Sequence, residues 1–87
     1  MAILYLNDVV EEMIQLSKTD KKTVDKIKKL VRSIERDGLM KGEGKPEKLK
    51  SRTNTYSRRI DEKNRLIYIA GEGNVTIKSF NGHYEDD

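Results

Sequence analysis

Arg65-Leu66-Ile67-Tyr68-Ile69-Ala70 decides the fold. In an extended chain Leu66, Tyr68 and Ala70 fall on one side, and Arg65, Ile67 and Ile69 on the other. Both sides are fairly apolar, so the run reads as a central strand of the sheet rather than an edge. Thr55 to Ile60 precedes it across Asp61-Glu62-Lys63-Asn64, and Asn74 to Phe80 follows it across Gly71-Glu72-Gly73. Both spacers are turn material, so the three runs predict an antiparallel meander.

Upstream the period changes. Between Lys21 and Asp37, Val24, Ile27, Val31 and Ile34 recur at spacings of three, four and three, with Leu30 beside them. That is one face of an α-helix. Asp20 offers an N-cap, and Gly38 suits the C-terminal cap with Leu39 as its apolar contact. An earlier helix is expected after Asn7 or Asp8 as cap, with Glu11 and Glu12 in its first turn and an apolar stripe of Val9, Val10, Met13 and Ile14. Residues 2–6 read as a short edge strand, and Lys41 to Lys50, with Gly42, Gly44 and Pro46, as a loop approaching an extended segment. Helices followed by strands segregate, so the fold class is α+β: two N-terminal helices packed on one face of a small, mainly antiparallel sheet. The opposite sheet face is expected to be free.

A chain of 87 residues has room for one domain and one modest core, so residues 1–87 are expected to form a single domain with Glu85-Asp86-Asp87 as a frayed acidic tail. There is no cysteine, which excludes disulfides and thiolate chemistry, and a single histidine excludes a multi-His metal centre. The opening apolar run is too short for a membrane span and lacks the basic start of a signal peptide, so the expected location is the cytoplasm, with no membrane partner.

The formal charge of +3 is unevenly spread. Residues 41–66 carry nine basic against four acidic side chains, whereas residues 67–87 carry one against four. Such a basic block attracts a polyanion. Taken singly, Glu47 reads as a partner of Lys45 or Lys48, Arg58, Arg59 and Arg65 as a cross-strand surface, and His83 as a surface residue. Together a carboxylate, guanidinium groups and an imidazole suit metal-free RNA cleavage. The 2′-hydroxyl must lose a proton, the departing 5′-oxygen must gain one, and the phosphorane between them carries extra negative charge.

The order of these residues is specific. Gly42-Glu43-Gly44-Lys45-Pro46-Glu47-Lys48-Leu49-Lys50, then Ser57-Arg58-Arg59-Ile60, then Arg65-Leu66-Ile67-Tyr68, then His83-Tyr84 resemble the YoeB/Txe toxins of the RelE superfamily. The resemblance implies a microbial ribonuclease-like fold and ribosome-dependent cleavage of mRNA without a cofactor. It assigns Glu47 as general base, His83 as general acid, Arg65 as the brace for the phosphate and Tyr84 as a substrate-orienting residue. Lys45, Lys50, Arg58 and Arg59 would bind RNA phosphates. The implied partners are a YefM/Axe-like antitoxin, mRNA on the ribosome and a second copy of the chain. Two alternatives stand beside this reading: a ParE-like gyrase-targeting toxin, and a non-catalytic RNA- or ribosome-binding module. A degenerate toxin that keeps only its antitoxin interface is a third.

Overall fold

The computed structural model describes residues 1–82. The chain runs β1 (Ala2–Tyr5), α1 (Asn7–Ser17), α2 (Lys21–Asp37), β2 (Glu47–Lys48), β3 (Thr55–Arg59), β4 (Arg65–Ala70) and β5 (Asn74–Gly82). The strands form one sheet in the order β1-β5-β4-β3-β2. β2 to β5 are antiparallel neighbours, and β1 lies parallel to β5 at the edge. The α+β expectation therefore holds, and β4 is central as its two apolar faces imply.

α2 forms as its spacing predicts. The Asp20 carboxylate accepts from the Thr23 amide, and Gly38 closes the helix at φ 97° while its amide donates to Ile34. Few residues but glycine adopt that backbone geometry without strain. The helix lays Ile27, Leu30, Val31 and Ile34 against Leu66, Tyr68, Val75 and Ile77 of the sheet in the main core. Burying each of these aliphatic side chains contributes roughly 1.5–3 kcal/mol.

Three expectations are corrected. α1 is capped by Leu6, without a side-chain cap, rather than by Asn7 or Asp8. Leu6 still donates its amide to Ile77 as a continuation of β1, and the chain turns directly from strand to helix. The helix thus starts early, and Glu11 and Glu12 lie beyond its first turn. The apolar stripe of α1 is also narrower than its composition suggests. Val9 is buried and Met13 and Leu16 are half-buried, whereas Val10 and Ile14 are 42% and 53% exposed. Finally, the sheet face away from the helices is not free at its centre. Ser57, Ile67, Arg65 and Leu49 are all buried, and Leu49 and Ile67 lie outside the helix-side cluster.

Candidate active site

Strand register determines which side chains meet. Glu47 of β2 pairs with Ser57 of β3, which pairs with Ile67 of β4. Two residues along, Arg59 pairs with Arg65, and Arg65 with Gly82 of β5. Cross-strand partners and residues two apart share a face. Glu47, Ser57, Arg59 and Arg65 therefore all project from the face opposite the helices. Strand spacing and rise put the Glu47 and Arg65 backbones about 12 Å apart, a gap that two long side chains can close around a phosphodiester.

These residues line an open cleft of about 660 Å³ whose walls are Lys45, Glu47, Arg59, Arg65 and the β3–β4 turn, Asp61 to Lys63. Arg65 is held firmly. It is only 8% exposed, its Nε donates to Ser57 Oγ at 2.9 Å, and one Nη donates to the Lys45 carbonyl at 3.0 Å. Lys45 adopts φ 49°, which turns that carbonyl toward Arg65 while its side chain stays exposed. Arg59 is exposed, with a long contact from Nε to the Asp61 carbonyl at 3.4 Å, and its amide donates to the Gly44 carbonyl at 2.6 Å. Two guanidinium groups directly opposite each other on neighbouring strands repel. An anion bound between them would offset that cost, so the pair is suited to a phosphate.

Arg58 is a correction. Adjacent strand residues point to opposite faces, so if Arg59 faces the cleft Arg58 faces the helices. Arg58 is 0% exposed and all five of its N–H donors are engaged inside the protein. Nε donates to Tyr68 Oη at 2.9 Å, one Nη to Ser33 Oγ and the Glu43 carbonyl, both at 2.9 Å, and the other to the Gly38 and Lys41 carbonyls at 2.6 and 2.7 Å. Its guanidinium carbon lies 5.7 Å from the centre of the Tyr68 ring. The expected phosphate contact is replaced by a buried clamp that ties the loop after α2 to the sheet. The positive charge is balanced at one remove: Ser33 Oγ donates to the Asp37 carboxylate, held low by Arg36 and Ser33 with a further contribution from Arg58. Burial pushes the Tyr68 phenol up, so it stays protonated and donates to the Leu39 carbonyl at 2.7 Å.

Lys50 is exposed in the turn beyond β2 and does not line the cleft. His83 and Tyr84 lie outside the described residues, as does the acidic tail; β5 ends at Gly82, opposite Arg65. The β3–β4 turn was not among the expected site residues. Its place in the cleft follows from the Arg59–Arg65 pairing, since the turn they flank must emerge beside them. Asp61 in that turn accepts from the Lys63 and Asn64 amides, both at 2.8 Å, which hold its carboxyl below the usual range. Among the described residues no cluster of side chains is suited to a metal ion, and no helix is long and apolar enough to cross a membrane.

The fold recurs in known proteins. A family described as the YoeB-like toxin of bacterial type II toxin-antitoxin systems matches residues 5–84. Toxin RelK of Mycobacterium tuberculosis is 40% identical over 78 residues, which span 88% of this chain and 91% of RelK. The structure of the YoeB dimer from Staphylococcus aureus is 39% identical and superposes with a TM-score of 0.87 over 97% of this chain and 98% of its own. The YoeB-YefM complex from the same organism matches at 39% identity and a TM-score of 0.84 over the same shares. With the motifs, the sheet order and the whole-length likeness in agreement, this chain belongs to the family of YoeB-like toxins of bacterial type II toxin-antitoxin systems.

Proposed function

We propose that this chain is an endoribonuclease toxin that cuts mRNA in the decoding site of the ribosome and thereby stops translation. The observation that carries the reading is the convergence of Glu47, Arg59 and Arg65 on one sheet face around an open cleft. Glu47 takes the proton of the ribose 2′-hydroxyl. The 2′-oxygen attacks the adjacent phosphorus, the bond to the 5′-oxygen breaks, and the 5′-oxygen receives a proton from His83. Arg65, preorganised by Ser57 and Lys45, faces the non-bridging oxygens as charge builds, with Arg59 beside it. His83 is the next residue in the chain after Gly82, the β5 partner of Arg65. Tyr84 orients the substrate, and Lys45 and Lys50 supply further positive charge. The products are a 2′,3′-cyclic phosphate and a 5′-hydroxyl. RNA is selected because DNA lacks the nucleophile.

Staphylococcus aureus YoeB has been solved with YefM and as a dimer. By that likeness we propose a YefM-like antitoxin as the neutralising partner, a homodimer as one state of the free toxin, and the cytoplasm as its place of action. The test is to incubate the purified chain with ribosomes programmed by a defined mRNA and to map the cut sites and end groups. Cyclic phosphate ends that require the ribosome support the reading. Binding without scission favours an RNA-binding module, and gyrase poisoning favours a ParE-like toxin; either result overturns it.

A further inference from the structure

The densest array of unpaired cations lies not in the cleft but on the far side of the molecule. Lys21, Lys22, Lys26, Lys28, Lys29 and Arg32 are all exposed on α2, and none is in an ion pair among the described residues. At about 100° per residue they fall within roughly 160° of the helix circumference, over about 17 Å of its length. That arc is opposite the stripe of Ile27, Leu30 and Ile34 which α2 buries against the sheet. Within that arc and length, Asp25 is the one acidic residue. The array does not show in the regional charge, because the eight basic side chains of residues 1–40 stand against seven acidic ones.

The local electrostatics of α2 are unfavourable to the helix itself. Lys21 and Lys22 occupy the first turn, where the macrodipole disfavours cations, and the carboxylate that answers it is that of the N-cap, Asp20. Lys22–Lys26 and Lys28–Arg32 are like-charge pairs four apart, while Lys26–Lys29 and Lys29–Arg32 are three apart; such pairs repel on a helix surface. α1, in contrast, carries Asp8 in its first turn. Asp25, three or four positions from Lys21, Lys22, Lys28 and Lys29, offsets part of this repulsion, yet none of the six cations is in an ion pair among the described residues. Local rules strained along one solvent face suit a surface whose partner lies outside the chain.

We propose that the outer face of α2 is a second RNA-binding surface, which grips the phosphate backbone of ribosomal RNA while the cleft on the other sheet face holds mRNA. The inference builds on the proposed ribosomal site of action. The array is charge without anchors: no large apolar side chain is exposed within it, so it lacks the hydrophobic contacts that hold a partner helix or a membrane. Flexible lysines acting as point charges suit a backbone read without regard to sequence. Because α2 and the cleft are on opposite sides of the sheet, the two RNAs do not compete for space.

The test compares wild type with Lys22→Gln/Lys26→Gln/Lys29→Gln/Arg32→Gln, a change that keeps helix propensity. Affinity for purified 70S ribosomes is measured across a salt series. Each lost phosphate contact lowers the slope of log K against log salt by about 0.7–0.9. Four contacts therefore predict a slope smaller by about 3 and binding about 10²–10³-fold weaker near 0.1 M salt, converging with wild type at molar salt. The variant melts at or above the wild-type temperature, because repulsion is relieved. At saturating ribosome concentration its single-turnover cleavage rate equals that of wild type. Unchanged affinity and slope overturn the proposal. So does a variant that binds ribosomes normally but loses its antitoxin, which would assign the face to a protein. Wild type that binds with the steep slope yet never cuts mRNA removes the nuclease reading and leaves this surface standing.

Discussion

Replacing Arg58 by methionine removes the clamp that fastens the loop after α2, and the cost follows from the acceptors it leaves. Ser33 Oγ keeps the Glu43 amide as donor and Asp37 as acceptor, and Tyr68 Oη keeps the Leu39 carbonyl. The carbonyls of Gly38, Lys41 and Glu43 lose the guanidinium. Each buried acceptor left without a donor costs about 1–3 kcal/mol. These carbonyls are part-buried and water regains some of the loss, so the lower half of the range applies and the sum over the three is about 3–6 kcal/mol. A domain of this length has a total stability of roughly 4–13 kcal/mol, so the change removes a large share of it. At about 4–8 °C per kcal/mol the melting temperature falls by roughly 12–48 °C. Arg58→Lys keeps the charge and up to three donors, and recovers part of the loss. Denaturant unfolding of the three proteins measures the stability, and hydrogen exchange at the Glu43 amide reports the loop directly. If Arg58→Met unfolds within about 1 kcal/mol of wild type, the buried network is not what holds the loop, and the reasoning fails.

Three further outcomes can be checked. Arg65→Ala and His83→Ala should each lower single-turnover mRNA cleavage by about 10²–10⁴-fold, and wild-type turnover in both would remove the proposed mechanism. Gly44→Ala places a methyl group 2.7 Å from Leu30 Cδ2 and 3.1 Å from Arg58 Cβ at φ +86°; a destabilisation of about 2–4 kcal/mol by urea titration is expected, and a neutral result would mean the loop relaxes freely. For Asp61 the folded carboxyl lies below the unfolded value of about 3.9, so its stabilisation is complete above that value and disappears as pH falls through the lower folded one. The gap in stability between wild type and Asp61→Ala should therefore narrow from pH 6 toward pH 2, and a constant gap would contradict the assigned hydrogen bonds.

Much of the fold and part of the site were legible in the residues. The three-four-three spacing of Val24, Ile27, Val31 and Ile34 defines α2 because helix formation and the burial of one face are both local in chain order. The twin apolar faces of Arg65 to Ala70 mark the central strand for the same reason. Glu47, Arg59 and Arg65 could be singled out from chemistry and motif, and their register then brought them to one face. Arg58 was misread although a local rule spoke against it, since neighbouring residues of a strand cannot share a face.

Other features depend on partners distant in the chain, and no local pattern contains them. β1 pairs parallel to β5, more than 70 residues later, and that pairing draws Leu6 into the cap of α1. Val10 and Ile14 have the composition of a buried stripe but face solvent, because α2 and β5 meet α1 along a narrow side only. Arg58 became a clamp because four carbonyl and hydroxyl groups from α2 and its following loop converge with Tyr68 on one point of the sheet. Amino-acid order alone determines which segments can fold as helix or strand and which side chains carry usable chemistry. Tertiary packing decides which of two like-charged neighbours meets solvent and which is desolvated, since burial is a property of the surroundings and not of the residue.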